Sequence, residues 1–434
     1  MCKKLLGLLL LILVLASSCS NVKRTQNDFV QVKDGQFLIN DEPYYFIGTN
    51  YWYGSIIGSE GSGGDRERLI KELDLMKEIG ITNLRVLVGA EGGDDRPWRV
   101  YPPLIIEPGV YNDTLLDGLD FFMKEIAERN MHAVLFLNNS WEWSGGYGQY
   151  LKWNGYGDIP YAQLEGSQWI DFTNYVSQFH SCEPCIQQNY DFIKFIIERK
   201  NRYTGKPYSQ DPSVMSWQIA NEPRAFTDDN KEAFAHWIAR TAAFMKSLAP
   251  NQLVSTGSEG EWGCENDMEL YKQIHKDSNI DYLTFHIWPN NWSWIDKEDI
   301  PGTLEQAIKN TSDYFNRHIE VAREFNKPVV FEEFGLPRDN FAFSPYSPTV
   351  SRDKYYEFAF EKVLDHSRNG DVLAGTNFWA FGGYGVPSID QVFWSKGDDL
   401  MGDPPQEEQG LNAVFATDST IDLIREFSAK MSQK

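Results

Sequence analysis

Basic charge is what this chain lacks most. Its 434 residues carry 40 Lys and Arg against 62 Asp and Glu, a formal net charge of −22. No stretch gathers Lys and Arg into a basic stripe, which excludes a nucleic-acid partner and argues against a polyanionic substrate. An acidic surface serves solubility and is compatible with a neutral polymer. Cysteine is scarce as well, with five in all. Two of them, Cys2 and Cys19, fall in the N-terminal segment, leaving Cys182, Cys185 and Cys264. Cys182-Glu183-Pro184-Cys185 has C-x-x-C spacing, but no second ligand pair for zinc and no thioredoxin-like context accompany it. In an exported chain that spacing predicts a small disulfide loop, with Cys264 left as a buried thiol. Internal repeats and low-complexity stretches are absent too.

One long apolar run stands out, Leu5 to Leu15, preceded by Lys3 and Lys4 and followed by Ala16-Ser17-Ser18-Cys19. The run is too short to span a bilayer and reads as an export leader. Small residues before Cys19 resemble the bacterial lipoprotein box. That resemblance implies a leader over residues 1–19, a lipid on Cys19, a polar tether over 20–28 and a folded domain over 29–434; plain cleavage nearby is the alternative. The expectation is an exported monomer whose only membrane contact is that lipid. It would sit at the outer membrane, on the periplasmic side or at the cell surface, or else be secreted.

What is plentiful is apolar and aromatic surface. Hydrophobic residues make up 42% of the chain and aromatics 14%, including 14 Trp. Trp faces stack on the apolar faces of sugar rings, and large cores use Trp as well. Strand-like apolar runs alternate with helical patterns throughout, which predicts βα units around a parallel sheet. Eight runs qualify: 44–49, 83–88, 132–137, 214–220, 253–256, 282–286, 329–333 and 376–380. Eight strands each followed by a helix is the α/β class, a (β/α)8 TIM barrel. Helices are expected at about 65–79, 114–129, 185–202, 230–248, 302–325, 351–367 and 419–431, with a shorter one at 267–275. A hairpin over 29–41 is expected to plug the barrel floor. The connections 138–181 and 381–416 exceed what structure alone needs. They carry Trp141, Trp143, Tyr147, Trp169, Tyr384 and Trp394, so they read as extended loops walling the C-terminal mouth.

Two segments end in glutamate: Ser216-Trp217-Gln218-Ile219-Ala220-Asn221-Glu222-Pro223 and Pro328-Val329-Val330-Phe331-Glu332-Glu333-Phe334-Gly335. The glutamates are 111 residues apart, so only a fold can join them. Two carboxylates at the ends of neighbouring buried strands are what acid-assisted cleavage of a glycosidic bond requires. Burial beside a second carboxylate raises a carboxyl pKa, which makes Glu222 the candidate general acid and base. Strand alternation lets only one of Glu332 and Glu333 face the mouth, and Glu333, followed by Phe-Gly, is the candidate nucleophile. No metal or organic cofactor is needed for that chemistry.

Asn221-Glu222-Pro223 on the fourth strand and Glu333-Phe334-Gly335 on the seventh resemble glycoside hydrolase family 5, in the clan of retaining (β/α)8 hydrolases. The resemblance implies that Arg85 lies beside the nucleophile, that Asn221 binds the sugar 2-hydroxyl, that His286 is the sixth-strand histidine, and that Trp379 is the platform under the sugar being cleaved. Within the family the chain is most similar to endo-β-1,4-mannanases, on Asn138-Asn139-Ser140-Trp141 with Gly145-Gly146, Asn221-Glu222-Pro223-Arg224, and His286-Ile287-Trp288-Pro289 with Trp292. Trp141 and Arg224 are then expected to line the substrate groove, Arg224 on the leaving-group side. The family usually has His-x-Tyr where this chain has His286-Ile287-Trp288, so Trp288 is left outside the catalytic set. The expected activity is retaining endo-hydrolysis of β-1,4-mannan, galactomannan or glucomannan. The alternatives are a β-1,4-glucanase or exo-acting hydrolase of the same family, or a non-catalytic glycan-binding lipoprotein.

Overall fold

The computed structural model describes residues 28–92 and 96–433. The expected leader, Cys19 and the tether up to residue 27 lie outside them. Among the described residues no helix is long and apolar enough to cross a membrane.

Eight strands form the barrel: β1 Phe46–Asn50, β2 Asn83–Leu87, β3 His132–Phe136, β4 Val214–Gln218, β5 Leu253–Ser255, β6 Leu283–Ile287, β7 Val329–Phe334 and β8 Leu373–Phe378. They pair in parallel, in the order β5-β4-β3-β2-β1-β8-β7-β6. Hydrogen bonds at the chain flanking β5 and β6 close the seam: Asp281 N–H donates to Val254 O at 2.9 Å, and His286 N–H to Glu259 O at 3.2 Å. Every barrel strand is buried along its length, because helices cover one face and inward side chains fill the other.

Eight helices complete the units: α1 Arg66–Glu78, α2 Asp113–Glu128, α3 Glu183–Glu198, α4 Lys231–Leu248, α5 Met268–His275, α6 Ile300–Phe325, α7 Val350–Asn369 and α8 Thr420–Ser432. Their starts are encoded locally. Asp65, Asn112, Asp267 and Asp299 each accept backbone N–H bonds at a first turn. Helix α3 is shorter than the 185–202 expected. It ends at Glu198 because Arg199 leaves helical geometry and its guanidinium forks onto buried Asp120 at 3.0 and 2.7 Å. At its other end Pro184 occupies the first turn and the expected Cys182–Cys185 disulfide is present. Cys264 is a buried free thiol, as expected.

The floor is plugged as predicted, by three short antiparallel strands rather than a two-stranded hairpin: Gln31–Lys33, Gln36–Ile39 and Glu42–Pro43. Val30 and Phe37 pack against Phe46, Val134, Met215, Leu253, Tyr282, Val330 and Ala374, and the Phe37 ring meets Tyr282 edge-on at 5.2 Å. The barrel's bottom is therefore apolar and sealed, and its polar chemistry is confined to the opposite end. Replacing Phe37 by Ala should lower the folding free energy by about 3–5 kcal/mol, read as a shift of the urea midpoint. It should leave kcat of the surviving folded protein within about twofold, since a floor cavity is remote from the mouth.

Candidate active site

Strand ends deliver the polar groups. Arg85 on β2 is fully buried. Its Nε donates to Gln218 Oε1 at 2.7 Å, Nη1 to Asn50 Oδ1 at 3.0 Å and to Glu333, and Nη2 to Asn221 Oδ1 at 2.9 Å. One guanidinium thus ties together the ends of β1, β2, β4 and β7. Asn221 in turn donates from Nδ2 to Asn139 Oδ1 at 3.2 Å, beyond β3.

Glu222 follows β4 with a φ of +48°, a left-handed conformation rare outside glycine. Such a conformation costs about 1–3 kcal/mol and persists only where its surroundings fix it. Here flanking backbone bonds do so: Asn221 N–H donates to Asn138 O at 2.8 Å, and Glu222 N–H to Gly257 O at 3.0 Å. The turn aims the carboxylate into the mouth, where it accepts from Trp141 Nε1 and lies 2.8 Å from His286 Nδ1. The same nitrogen is 3.4 Å from Glu333 Oε2. One oxygen of Glu222, one of Glu333 and a His286 ring nitrogen all lie within 4.8 Å of one another. These three form the only set among the described residues with metal-ligand spacing. Both carboxylates already accept N–H bonds, and Arg85 places a fixed cation against Glu333, so the donor set suits a proton-handling pair better than an ion.

Of Glu332 and Glu333 only Glu333 lines the mouth, and a β-bulge rather than plain alternation places the two. Phe285 pairs with Phe331, and the next pair is His286 with Glu333, leaving Glu332 as an extra residue on β7. A bulge breaks the two-residue alternation and re-aims a side chain. Both glutamates are consequently buried inside the barrel. Glu333 faces the mouth. Glu332 lies beneath it, with Gln218 Nε2 donating to both its oxygens at 2.9 Å and Arg85 Nε at 3.4 Å.

Electrostatics divide the pair. Burial is the largest influence on Glu333 and, with the negative charge of Glu222 and Glu332, pushes it up to about 7 against the pull of His286 and Arg85. Burial also works upward on Glu222, but His286, Arg224 and Trp141 prevail and hold it below its ordinary value, the reverse of the raised carboxyl expected there. Burial alone would lower His286; the negative charge of Glu333 and its contacts to Glu222 and Glu332 raise it instead to about 10. The two mouth carboxyls therefore titrate as one unit that keeps a single proton up to about pH 7.

Above them opens a cavity of about 450 Å³, lined by Trp141, Glu222, Arg224, Trp288, Glu333 and Trp379 among others. All eight residues expected at the site converge there: seven line or border it directly, and Arg85 supports it from below. Arg224 is pinned bidentately by Glu259 and lies over the Trp141 ring at 4.9 Å. Trp288 makes no hydrogen bond to Glu333; its ring meets Trp379 at a steep angle, 6.2 Å between centroids, and forms wall. Sequence reasoning missed Asn50, Gln218, Glu259 and Glu407. The first three stand at or just past strand ends, as Asn221, Glu222 and Glu333 do. Glu407 has no local signal. It lines the cavity from deep in the loop after β8, and its Oε2 is sealed from solvent with no hydrogen-bond partner. Burial, then the charges of Asp403 and Glu333, hold that carboxyl far above its ordinary pKa.

The mouth is lopsided. Near Trp379, the loops after β1, β2, β3 and β8 interlock. Val100 N–H donates to Trp143 O at 2.7 Å, and Gly146 N–H to Glu91 Oε2 at 2.8 Å. Trp52 Nε1 reaches Gly402 O at 2.9 Å, and Lys396 lies over the Tyr101 ring at 4.2 Å. Trp143 then stands 6.4 Å from Trp379. On the other side, Arg224 and the stacked pair Trp262–Trp292, 4.9 Å apart, line the groove.

A family described as GH family 5 beta-mannosidase-like matches residues 27–434. The chain belongs to glycoside hydrolase family 5. This family 5 hydrolase is 36% identical to a glycoside hydrolase family 5 mannosidase from Rhizomucor miehei. The match covers 94% of this chain and 98% of that one, with a TM-score of 0.86. A variant of the same fungal enzyme, 35% identical over 94% and 98% of the two chains with a TM-score of 0.86, was solved in complex with mannosyl-fructose. Among curated proteins it is 27% identical to mannan endo-1,4-beta-mannosidase 4 of Solanum lycopersicum, over 85% of this chain and 87% of that protein. The fold is the (β/α)8 barrel, and the chain is a glycoside hydrolase.

The raised carboxyl fixes a pH dependence. A group pushed up from 4.5 keeps its proton to about 7, so the one-proton form of the pair persists to that pH and is lost above it. The kcat/KM of the hydrolase should fall about tenfold per unit above roughly pH 7, read from initial rates across pH 4–9.

Proposed function

We propose that this hydrolase cleaves β-1,4-linked mannosides with retention of anomeric configuration, by double displacement. The observation that carries the mechanism is the approach of Glu222 and Glu333 oxygens to within 4.8 Å. Retaining pairs stand roughly 5–5.5 Å apart and inverting pairs roughly 6.5–9.5 Å, because inversion needs room for a water. Glu333 attacks the anomeric carbon, forming a glycosyl-enzyme bond as the C–O bond to the leaving sugar breaks. Glu222 gives its proton to the departing oxygen. It then takes a proton from water, whose oxygen displaces Glu333 and restores both groups. For this the pair's proton must reside on Glu222 when sugar is bound. His286 Nδ1, within 3.4 Å of both carboxylates, supplies the route. Asn221, anchored by Arg85 and Asn139, is the residue to hold the 2-hydroxyl, and Trp379 the platform.

Support for a mannoside comes from the family and from the printed names of the relatives. Those names divide between mannosidase and endo-mannosidase, so chain position must be argued from geometry. The interlocked loops bring Trp143 to 6.4 Å from Trp379, Glu407 lines the same cavity, and a wall there favours trimming of chain ends or short oligosaccharides over internal cutting. A neutral Glu407 carboxyl both donates and accepts, which suits terminal hydroxyls of an uncharged sugar. From mannohexaose, one short product should dominate from the first minutes; an even ladder of sizes would overturn end-trimming and favour endo action, and release from carboxymethylcellulose but not mannan would shift the substrate to β-glucan. Glu222→Gln and Glu333→Gln should each lower kcat by at least about 10²–10⁴-fold, and full activity in either variant would end the assignment.

Export and a lipid on Cys19 belong to the same proposal. The Cys182–Cys185 disulfide supports an oxidising compartment. Cys19→Ser should move the protein from the membrane pellet to the soluble fraction; retention in the pellet would count against the anchor.

A further inference from the structure

Glu332 is a buried carboxyl that the displacement chemistry does not use. It does not reach the cavity, yet it lies within 3.6 Å of His286, Oε2 to Nε2. That separation is too long for a hydrogen bond and short enough for a strong charge contact. Within hydrogen-bond reach Nε2 has no other partner. The opposite nitrogen, Nδ1, meets both mouth carboxylates. The imidazole thus bridges a carboxylate below and two above. Other charges face it as well. Arg85 acts through Glu333 and Glu332, Glu259 approaches from beyond β5, and Arg224 stands behind Glu222. Cations and anions among these pair with each other: Arg224 with Glu259, Arg85 with Glu333. Glu332 is held by a neutral amide, Gln218, and only distantly by Arg85, so its charge is the least cancelled by partners of its own.

We propose that Glu332, swung into the barrel by the bulge in β7, is a positioning residue of the reaction: it keeps His286 as an imidazolium, so that Nδ1–H is always available to the Glu222–Glu333 pair. The inference rests on the reading of that pair as the reacting carboxyls. A cation between two like charges lets both stay close and buried, and a positive ring can pass a proton to Glu222 and recover one from Glu333 without leaving its place. With a neutral ring the Nδ1 proton competes with the Nε2 tautomer, and the pair loses its guaranteed donor. Glutamate is needed rather than glutamine because Gln218 presents its Nε2 donor to both oxygens, and because only a charge favours the second ring proton.

The test uses Glu332→Gln, Glu332→Asp and His286→Asn in the full chain. In Glu332→Gln, the basic limb of the kcat profile should move down by about one pH unit and kcat at pH 7 should fall about tenfold, with KM within twofold. Glu332→Asp should restore the limb. The double variant Glu332→Gln with His286→Asn should be no slower than His286→Asn alone, since one residue acts through the other. An independent readout needs no turnover. With ¹⁵N-labelled histidine, of which the chain has seven, the His286 signal (identified by its loss in His286→Asn) should stay doubly protonated past pH 8 and titrate lower in Glu332→Gln. An unmoved His286 titration, an unmoved basic limb, or losses that simply add in the double variant would each overturn the proposal. If the NMR shift occurs while Glu222→Gln and Glu333→Gln remain active, the contact stands and the catalytic reading falls.

Discussion

Everything at the mouth depends on one buried guanidinium. A guanidinium is a permanent cation, and a cation taken out of water costs several kcal/mol unless its donors are met and its charge is answered. Here Asn50, Gln218 and Asn221 take the neutral bonds, Glu333 takes the charge, and the Phe136 ring lies against the plane at 4.6 Å. The polar partners come from three other strand ends. None of them can drift without uncovering the charge, so the relative heights of β1, β2, β4 and β7 are fixed by Arg85 as firmly as by their ladder hydrogen bonds. The position of Glu333 and the anchoring of Asn221 follow from the same constraint.

Counting charges outward from Arg85 explains why the site can run acid and base chemistry together. Glu222, Glu332 and Glu333 present three carboxylates, while Arg85 and His286 present two cations. Arg224 and Glu259 cancel one another. One proton leaves the centre neutral. A second would leave a buried positive excess and none a buried negative one, and each is penalised at low dielectric. A single shared proton is therefore the stable state of the cluster. It is also the state that the proposed displacement requires, with one carboxyl as acid and the other as ionised nucleophile. The sealed apolar floor reinforces this, because it leaves the charges no counter-ions from below.

The barrel was legible because its signals are local and repeated. Each strand is a run of apolar residues such as Val329-Val330-Phe331, and most helices open on a side chain able to cap them. The observed strands lie within a few residues of the predicted runs. Site residues that end those runs, Asn221-Glu222 and Glu333, were legible for the same reason. What could not be read depends on register or distance. The bulge at Glu332 is a mismatch between β6 and β7, and neither strand alone encodes it. Gln218 is an ordinary strand residue until Arg85 and Glu332 are placed on either side of it. The α3 boundary hinges on Asp120, a residue of another helix. Glu407 is brought to the cavity by a loop whose course is set by contacts with two other loops.

That division has a consequence for specificity. Barrel strands supply the centre, and the centre answers only how a bond is broken. Which bond along a chain is presented depends on what stands beside Trp379, and that is built from loops after β1, β2, β3 and β8. Their contacts, Val100 to Trp143, Gly146 to Glu91 and Trp52 to Gly402, run between loops and scarcely involve the strands. A barrel with the same Arg85, Glu222 and Glu333 could therefore carry an open groove or a blocked one with no change in its chemistry. Family membership fixes the first property and is silent on the second. The interlock, with Glu407 lining the cavity beside it, is the feature on which the proposed end-trimming turns.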